Sequence, residues 1–347
     1  MNYKLLEKIC NIPGVSGHEE TVQKLVIKEL TGHCDELYED RMGNVIAIRR
    51  ATAAVNGERP LRVVLAAHVD EYGLMVQQID DNGFIGFSVI SAVEPKMLTG
   101  LPVIIYGKEE VRGVIAPVWG DEKIKIEDLR IDTGRDRKWV EKRLAIGDVA
   151  ILDINLVKLN DKVLSARNFD DRIGTYCMIE AVKRIKSLQV DLYVVSSVQE
   201  EVGVRGMPVA AAVIEPDIGL AIDGGVTKDA YKGPPSQHCL MGEGAAVYVM
   251  DRLTLGSKKL VDFLLATGAE NGIRCQKNYG GGTDASAIQR TGAGALTTTI
   301  GVPTRYMHTA VQLCHVDDVE ATIELLVRFA ESAHRLLPNC NPWQPVK

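Results

Sequence analysis

VVLAA at residues 63–67, followed directly by HVDE at 68–71, is the stretch that decides the fold. Two more apolar runs end in the same way. LYVVSSV at 192–198 precedes QEE at 199–201, and IGLAI at 218–222 precedes Asp223. Runs that are apolar on both faces are typical of central parallel strands, and open α/β sheets bind ligands beyond the carboxyl ends of such strands. We therefore expect His68, the Glu200–Glu201 pair and Asp223 to converge on one crevice.

Length and composition predict a globular protein with more than one structural unit. The chain has 347 residues, of which 46% are hydrophobic and 25% charged. This length favours one large α/β body plus a smaller second unit. No apolar run approaches the roughly 20 residues that cross a bilayer, so no membrane contact is expected. The first eight residues carry charges where a secretory signal is apolar, which predicts a cytoplasmic protein.

Cysteine and charge patterns exclude several classes of protein. The seven cysteines are scattered and form no Cys-x-x-Cys pair, so neither a disulfide framework nor a structural zinc knuckle is expected. The net charge is −6, and there is no long basic block, so no nucleic-acid partner is predicted. Small or peptide-like partners are favoured.

Local patterns divide the chain into a body and an insert. Ser16–Glu19 fits a capping box before a helix, and a strand at 45–48 is expected at the sheet edge. From about 74 to 162 the sequence changes to short β-like runs between glycines and prolines, which indicates an inserted β-rich domain. Helical periodicity then returns, and the last helix is expected to stop at Pro338. The predicted fold class is α/β, a mixed sheet flanked by helices, with a body of residues 1–73 and 163–347.

The residues that follow the first two strands suit metal chemistry. His68 offers a metal-binding imidazole, and Asp70 could fix its tautomer. The alternative is a structural histidine beside a solvated acid. Adjacent residues leaving a strand diverge, so one carboxylate of Glu200 and Glu201 can bind a metal while its neighbour reaches water. Two adjacent glutamates usually lie exposed on the protein surface. The position of Glu200 and Glu201 directly after a buried strand argues against that interpretation.

Three further segments could complete a site. Asp223 precedes two glycines and could bind a ligand or simply form a turn. In NFDDR at 168–172, one aspartate could cap the following helix while the other bridges metals. The glycine-rich segment YGGGTD at 279–284 lacks phosphate-binding spacing and is interpreted as a flexible pocket wall. His308 lies on a turn after the apolar run 295–300.

Taken together, these side chains indicate more than any one alone. Two histidines and several carboxylates, without cysteine, suit a dinuclear site for zinc, cobalt or manganese with one shared carboxylate. Such a site activates water for hydrolysis.

Six motifs in this order resemble one family. They are HVDE at 68–71, NFDDR at 168–172, QEEVG at 199–203, AID at 221–223, GGTD at 281–284 and PTRYMH at 303–308. They resemble the glutamyl/deblocking aminopeptidases, the tetrahedral-assembly metallopeptidases whose members are also described as endoglucanase M. The resemblance extends from Ile12 nearly to the end of the chain.

The resemblance implies a ligand set for two divalent metal ions. His68, Asp170 and Asp223 would hold one ion. Asp170, Glu201 and His308 would hold the other, so that Asp170 bridges them. Zinc or cobalt is expected, with manganese as an alternative.

The resemblance also implies roles for two more acids and for the insert. Glu200 would be the general base that deprotonates the bridging water, and Asp70 would orient His68. The insert would be a dimerisation domain, and dimers would assemble into a hollow dodecamer that admits short peptides. The predicted function is a dinuclear metalloaminopeptidase with a zinc-peptidase-like catalytic domain. Two alternatives stay open, a hydrolase of acylated small molecules or glycosides and a non-catalytic peptide-binding scaffold.

Overall fold

The structure is a computed structural model that describes residues 1–52, 59–119, 123–233, 238–337 and 339–341. Pro338, the predicted stop of the last helix, lies outside these ranges. No helix within them is long and apolar enough to cross a membrane. The α-helices are α1 Tyr3–Asn11, α2 Glu20–Leu30, α3 Arg137–Glu141, α4 Phe169–Arg184, α5 Gly206–Ile214, α6 Lys258–Glu270, α7 Ala285–Gln289 and α8 Val316–Ser332.

The strands form two separate systems along the chain. The first three are β1 Glu36–Glu39, β2 Val45–Arg49 and β3 Arg62–His68. The next six are β4 Gly73–Ile79, β5 Ile85–Ile90, β6 Pro102–Tyr106, β7 Glu110–Ile115, β8 Ile131–Asp132 and β9 Val149–Leu152. The last eight are β10 Val157–Lys158, β11 Val163–Ala166, β12 Asp191–Ser197, β13 Ile218–Val226, β14 Ala245–Met250, β15 Cys275–Tyr279, β16 Leu296–Arg305 and β17 Gln312–His315.

A mixed sheet organises the body of the protein. Its strands run in the order β1-β2-β12-β3-β13-β16-β17-β11-β10, and β14 joins β16 to β15. The four central strands β12, β3, β13 and β16 are parallel. In register, Ser197 pairs with His68, so β12 and β3 end at the same level. This confirms the predicted parallel strands and places their carboxyl ends side by side.

Both faces of the central strands are buried, as their apolar sequences predict. Val63 and Leu65 face a large core shared with α4 and α8, whereas Val64 faces a smaller core beneath α5 and α7. Helix α4 is buried along almost its whole length. The sheet is therefore flanked by helices on both faces, as predicted.

The sheet edge differs from the prediction. Strand β2 pairs with β1 on one side and β12 on the other, so the edge strand is β1. The sequence of β1, Glu36-Leu37-Tyr38-Glu39, has no apolar run to mark it as a strand. Polar residues suit an edge because they discourage pairing with another chain.

Strands β4 to β9 close into a barrel in the order β4-β5-β8-β7-β6-β9. The barrel has its own apolar core, which also receives Ala310 from the body. Val15 of the body packs against Ile104 and Val149 on the barrel exterior. The barrel thus forms the β-rich unit, and Ala310 and Val15 are among the body residues that pack against it. Its dimerisation role and the bounds 74–162 stay predictions.

Candidate metal centre

Side chains from neighbouring strand ends meet in one crevice. His68 is the last residue of β3, and Asp223 lies within the parallel strand β13. Glu200 and Glu201 follow β12, and His308 follows β16. The parallel order of these strands is what brings the residues together.

Asp170 reaches the same crevice from the start of α4. Asp170 and Asp171 have non-helical backbone angles, and the peptide bond between them is cis. Asp171 accepts a hydrogen bond at 3.0 Å from the N–H of Gly174 and so caps the helix. The backbone N–H of Asp170 donates to the Gln312 side chain at 2.9 Å. One aspartate caps and the other faces the crevice, as the sequence suggested.

The Asp170 carboxylate lies between the two histidines. Its Oδ1 is 3.2 Å from Nε2 of His68, and its Oδ2 is 2.9 Å from Nε2 of His308. Two three-residue groups share it, His68–Asp170–Asp223 and Asp170–Glu201–His308, each with ligand atoms within 4.8 Å of one another. This geometry suits two cations with one shared carboxylate.

The charges of this cluster are strongly coupled. Burial opposes ionisation of Asp170, but hydrogen bonds from His308 and His68 outweigh it and hold the pKa of Asp170 below its ordinary value. Burial likewise lowers the pKa of His308, and its hydrogen bond to Asp170 overcomes this effect and raises that pKa to about 10. The pKa of His68 is raised well above its ordinary value for the same reason.

The remaining acids resist ionisation. Burial, reinforced by the charge of Asp170, raises the pKa of Glu201 to about 7. Burial also raises the pKa of Glu200 and of Asp223 well above the ordinary values, with nearby carboxylates adding to the rise. A divalent cation would offset this repulsion, because opposite charge stabilises ionised carboxylates.

The donor atoms present fit divalent cations. Oε1 of Glu201 is buried and has no hydrogen-bond partner among the described residues. Such an orphaned oxygen is costly unless a proton or a cation binds it. Imidazole and carboxylate donors without sulfur suit zinc, cobalt or manganese.

Asp70 is fully buried behind His68. Its Oδ1 lies 3.3 Å from Nδ1 of His68, in the position expected of an orienting carboxylate. Its Oδ2 accepts a hydrogen bond from the Ser16 hydroxyl at 2.6 Å. The predicted capping box is therefore wrong, because Ser16 binds Asp70, and Glu19 precedes α2 without a side-chain capping bond. A bond to a buried carboxylate is stronger than a bond to a helix N–H.

A buried ion cluster lies beside the site. Glu71 accepts hydrogen bonds from Arg167 at 2.8 and 3.0 Å and from Arg172 at 3.2 Å. Asn168 also donates to Glu71 at 3.0 Å. The cluster fastens the loop after β3 to the segment that carries Asp170.

The crevice opens into a cavity of about 710 Å³. Glu200, Glu201, Asp170, Asp223 and His308 lie along its wall. The glycine-rich segment 280–283 also lines the cavity, as predicted, together with the cationic residues Lys232 and Arg252. A cavity of this size accommodates a small molecule or part of a peptide.

All the predicted site residues lie around this crevice, and their roles as ligands and base stay proposals. Ser16 and Ser91 were missed as contributors. Ser91 donates a hydrogen bond to Glu201, but it lies in the insert, far from any motif, and nothing in the sequence marked it. Ser197 donates to Asp284, which places the end of the GGTD motif behind the crevice.

Comparisons with known proteins identify the family. The family model of the M42 glutamyl aminopeptidases matches residues 43–325. The lysyl aminopeptidase of Pyrococcus furiosus is 32% identical, and the match covers 95% of this chain and 97% of the relative.

Two solved structures show the same fold. An aminopeptidase from the archaeon Desulfurococcus kamchatkensis is 30% identical, with a TM-score of 0.90 over 95% of this chain and 94% of the other. The TET1 peptidase of Pyrococcus horikoshii can assemble into a tetrahedron or a large octahedral shell. It is 29% identical, with a TM-score of 0.84 over 94% of this chain and 98% of the other.

The fold and the sequence match define a hydrolase of the peptidase class. The chain belongs to the M42 glutamyl aminopeptidase family. The family and the aminopeptidase class predicted from the six motifs are thus confirmed.

Proposed function

We propose that this protein is a dinuclear metalloaminopeptidase that releases N-terminal residues from short peptides. The observation that carries the proposal is the position of the Asp170 carboxylate, whose two oxygens face His68 and His308 at 3.2 and 2.9 Å. A single carboxylate between two imidazoles is the arrangement that a shared bridging ligand requires.

Two ligand sets follow from this arrangement. His68, Asp170 and Asp223 would hold one ion, and Asp170, Glu201 and His308 would hold the other. Zinc or cobalt suits these nitrogen and oxygen donors best, and manganese is the alternative. Bound divalent ions would polarise the scissile carbonyl and lower the pKa of water in the crevice.

Glu200 would be the general base. One of its carboxylate oxygens lies 4.0 Å from Nε2 of His68, and the side chain lines the cavity. Burial raises its pKa above the ordinary value, the direction that strengthens a carboxylate as a proton acceptor. Glu200 would take a proton from the attacking water and deliver it to the leaving amine. Asp70 would act as a positioning residue through His68.

Assembly and substrate size complete the proposal. The TET1 peptidase of Pyrococcus horikoshii forms large shells, and its likeness to this chain supports a homo-oligomer. We expect barrels to pair into dimers and dimers to build a dodecamer that admits short peptides. The mass of the purified protein in solution tests this expectation. A cytoplasmic location stays a prediction.

The decisive experiment measures hydrolysis before and after metal is restored. Metal-stripped protein is assayed on free and N-acylated peptides and on a short glucan, and the assay is then repeated with added Zn²⁺ or Co²⁺. The expected result is metal-restored release of free N-terminal amino acids. Glu200→Gln should bind both metals and lose activity by about 10²–10⁴-fold, the usual contribution of a general base.

Other outcomes would contradict the proposal. Wild-type activity in metal-replete Glu200→Gln would refute the base assignment. Turnover of acylated compounds or glucan without amino-acid release would favour the alternative hydrolase. Failure to bind any divalent metal would favour a peptide-binding scaffold.

A further inference from the structure

We propose that the segment Ser91–Ala92, at the exit of barrel strand β5, positions the second cation site, and that the Ser91 hydroxyl sets the metal affinity of that site. This inference rests on the proposed ligand set Asp170, Glu201 and His308. It assigns the inserted barrel a direct part in the catalytic centre, in addition to any part in assembly.

Ser91 contacts one ligand. Its hydroxyl donates a hydrogen bond to Oε2 of Glu201 and lines the cavity. The Glu201 side chain is only 4% exposed, so this bond is made in a region that excludes most water. A hydroxyl bound to a buried carboxylate is charge-assisted and fixes the carboxylate rotamer. With Oε2 held in this way, Oε1 remains available.

Ala92 contacts the other ligand. Its backbone carbonyl accepts a hydrogen bond from Nδ1 of His308 at 2.7 Å. This bond places the proton of a neutral His308 on Nδ1 and leaves the lone pair of Nε2 facing Asp170. Two consecutive barrel residues therefore hold two of the three proposed ligands.

His308 needs such support more than His68 does. The His308 side chain is 36% exposed, and its turn contains two non-glycine residues with positive φ, Tyr306 at 59° and His308 at 55°. His68 is 2% exposed and is held by Asp70, which belongs to the same loop. Among the described residues, the contacts that hold His68 in the first site come from the body, whereas Glu201 and His308 in the second site also receive contacts from the barrel. This asymmetry makes the two sites separable by experiment.

The backbone of Ser91 allows a clean test. Its φ is +77°, in the left-handed region that glycine adopts readily. Ser91→Gly therefore removes the hydroxyl without opposing the backbone conformation, and Ser91→Ala removes it while retaining a Cβ atom. If the hydroxyl group sets the metal affinity of the second site, both variants should lose the same amount of that affinity.

The experiment titrates metal-stripped protein with Co²⁺, following heat and visible absorption. Wild type should bind two equivalents. Ser91→Gly and Ser91→Ala should bind the first equivalent of Co²⁺ as wild type does. They should bind the second equivalent about 10–100-fold more weakly, as expected when a metal ligand loses the hydrogen bond that orients it. Ser88→Ala, on the same strand β5, is the matched control and should leave both equivalents unchanged. Glu201→Ala should abolish the second equivalent.

Several results would overturn the inference. The second equivalent could bind both Ser91 variants as tightly as wild type. Both equivalents could weaken together, which would show a general disturbance of the fold. If wild type bound only one equivalent, or if Glu201→Ala retained two, the proposed ligand set itself would fail. Wild-type binding in the Ser91 variants beside a loss in Glu201→Ala would reject only the role of Ser91.

Discussion

The backbone N–H of Glu200 donates a hydrogen bond to Oδ1 of Asp70 at 3.0 Å. The N–H of Glu201 donates to Oδ2 of the same carboxylate at 3.2 Å. Asp70 therefore holds the turn after β12 as well as His68 at the end of β3. Orientation of the histidine, the role inferred from sequence, is only one of its contacts.

Asp70→Asn should impair both the proposed base and the first metal site. The amide nitrogen cannot accept a hydrogen bond, so in either orientation of the amide the N–H of Glu200 or of Glu201 loses its acceptor. We expect a fall of about 10–100-fold in activity and in affinity for the first metal. Steady-state kinetics and metal titration check this expectation.

Ser16→Ala is the matched control for this change. It removes one donor from Asp70 and leaves the carboxylate and both glutamate contacts in place, so a smaller effect is expected. Full activity and normal metal binding in Asp70→Asn would show that Asp70 is only a structural acid.

The parallel strands and the site residues at their ends could be predicted because apolar runs and polar endings are local signals. Contacts between residues that are far apart in the sequence could not be predicted, because no local pattern indicates them. Ser16 looked like a helix cap, since nothing in its neighbourhood indicates that Asp70 lies beside it in the folded protein. Ser91 reaches Glu201 across 110 residues, from a barrel whose position on the body no local pattern encodes. Strand β1 was missed because its four residues contain no apolar run.

Glu71→Gln should destabilise the fold strongly. The carboxylate lies against the guanidinium groups of Arg167 and Arg172, and all three side chains are at most 3% exposed. Removing one partner of a buried ion pair leaves an uncompensated charge and costs about 3–5 kcal/mol. The shift in denaturant midpoint of the metal-free protein measures this cost at fixed protein concentration.

An exposed ion pair provides the comparison. Asp262→Asn breaks the pair of Lys258 and Asp262 on the surface of α6 and should shift the midpoint very little. Equal shifts in the two variants would mean that the Glu71 cluster contributes no more than a solvated pair.

Metal binding should release protons and strengthen as pH rises. In the metal-free protein the pKa of His308 is raised to about 10, so this imidazole is protonated at neutral pH and must lose its proton to bind a cation. The pKa of Glu201 is raised to about 7, so this carboxyl group is partly protonated at neutral pH and releases a further fraction of a proton when metal binds. We expect net proton release at pH 7, and weaker binding at pH 6 than at pH 8. Calorimetry in two buffers of different ionisation enthalpy measures the release.

In the metal-free protein, the raised pKa of His308 has the opposite effect on folding, because its contribution to stability decreases as pH rises. Its contribution to stability is fully present below the ordinary pKa of 6.5 and is lost as pH rises through about 10. His308→Ala should remove this loss and reduce proton release on metal binding. Metal affinity that is constant between pH 6 and 8 would contradict the proposed ligands.

Gly224→Val should shift specificity toward small N-terminal residues. Gly224 lines the cavity, and a Cβ atom there would lie 3.1 Å from Cε of Met307, another wall residue. The added side chain should push this flexible thioether into the cavity, so kcat/KM should fall about 10-fold more for a leucyl than for an alanyl peptide. Gly225→Ala, whose Cβ faces the Val302 backbone at 3.4 Å, should leave the ratio unchanged. Equal losses on both peptides, with reduced metal content, would place the effect at the metal centre instead.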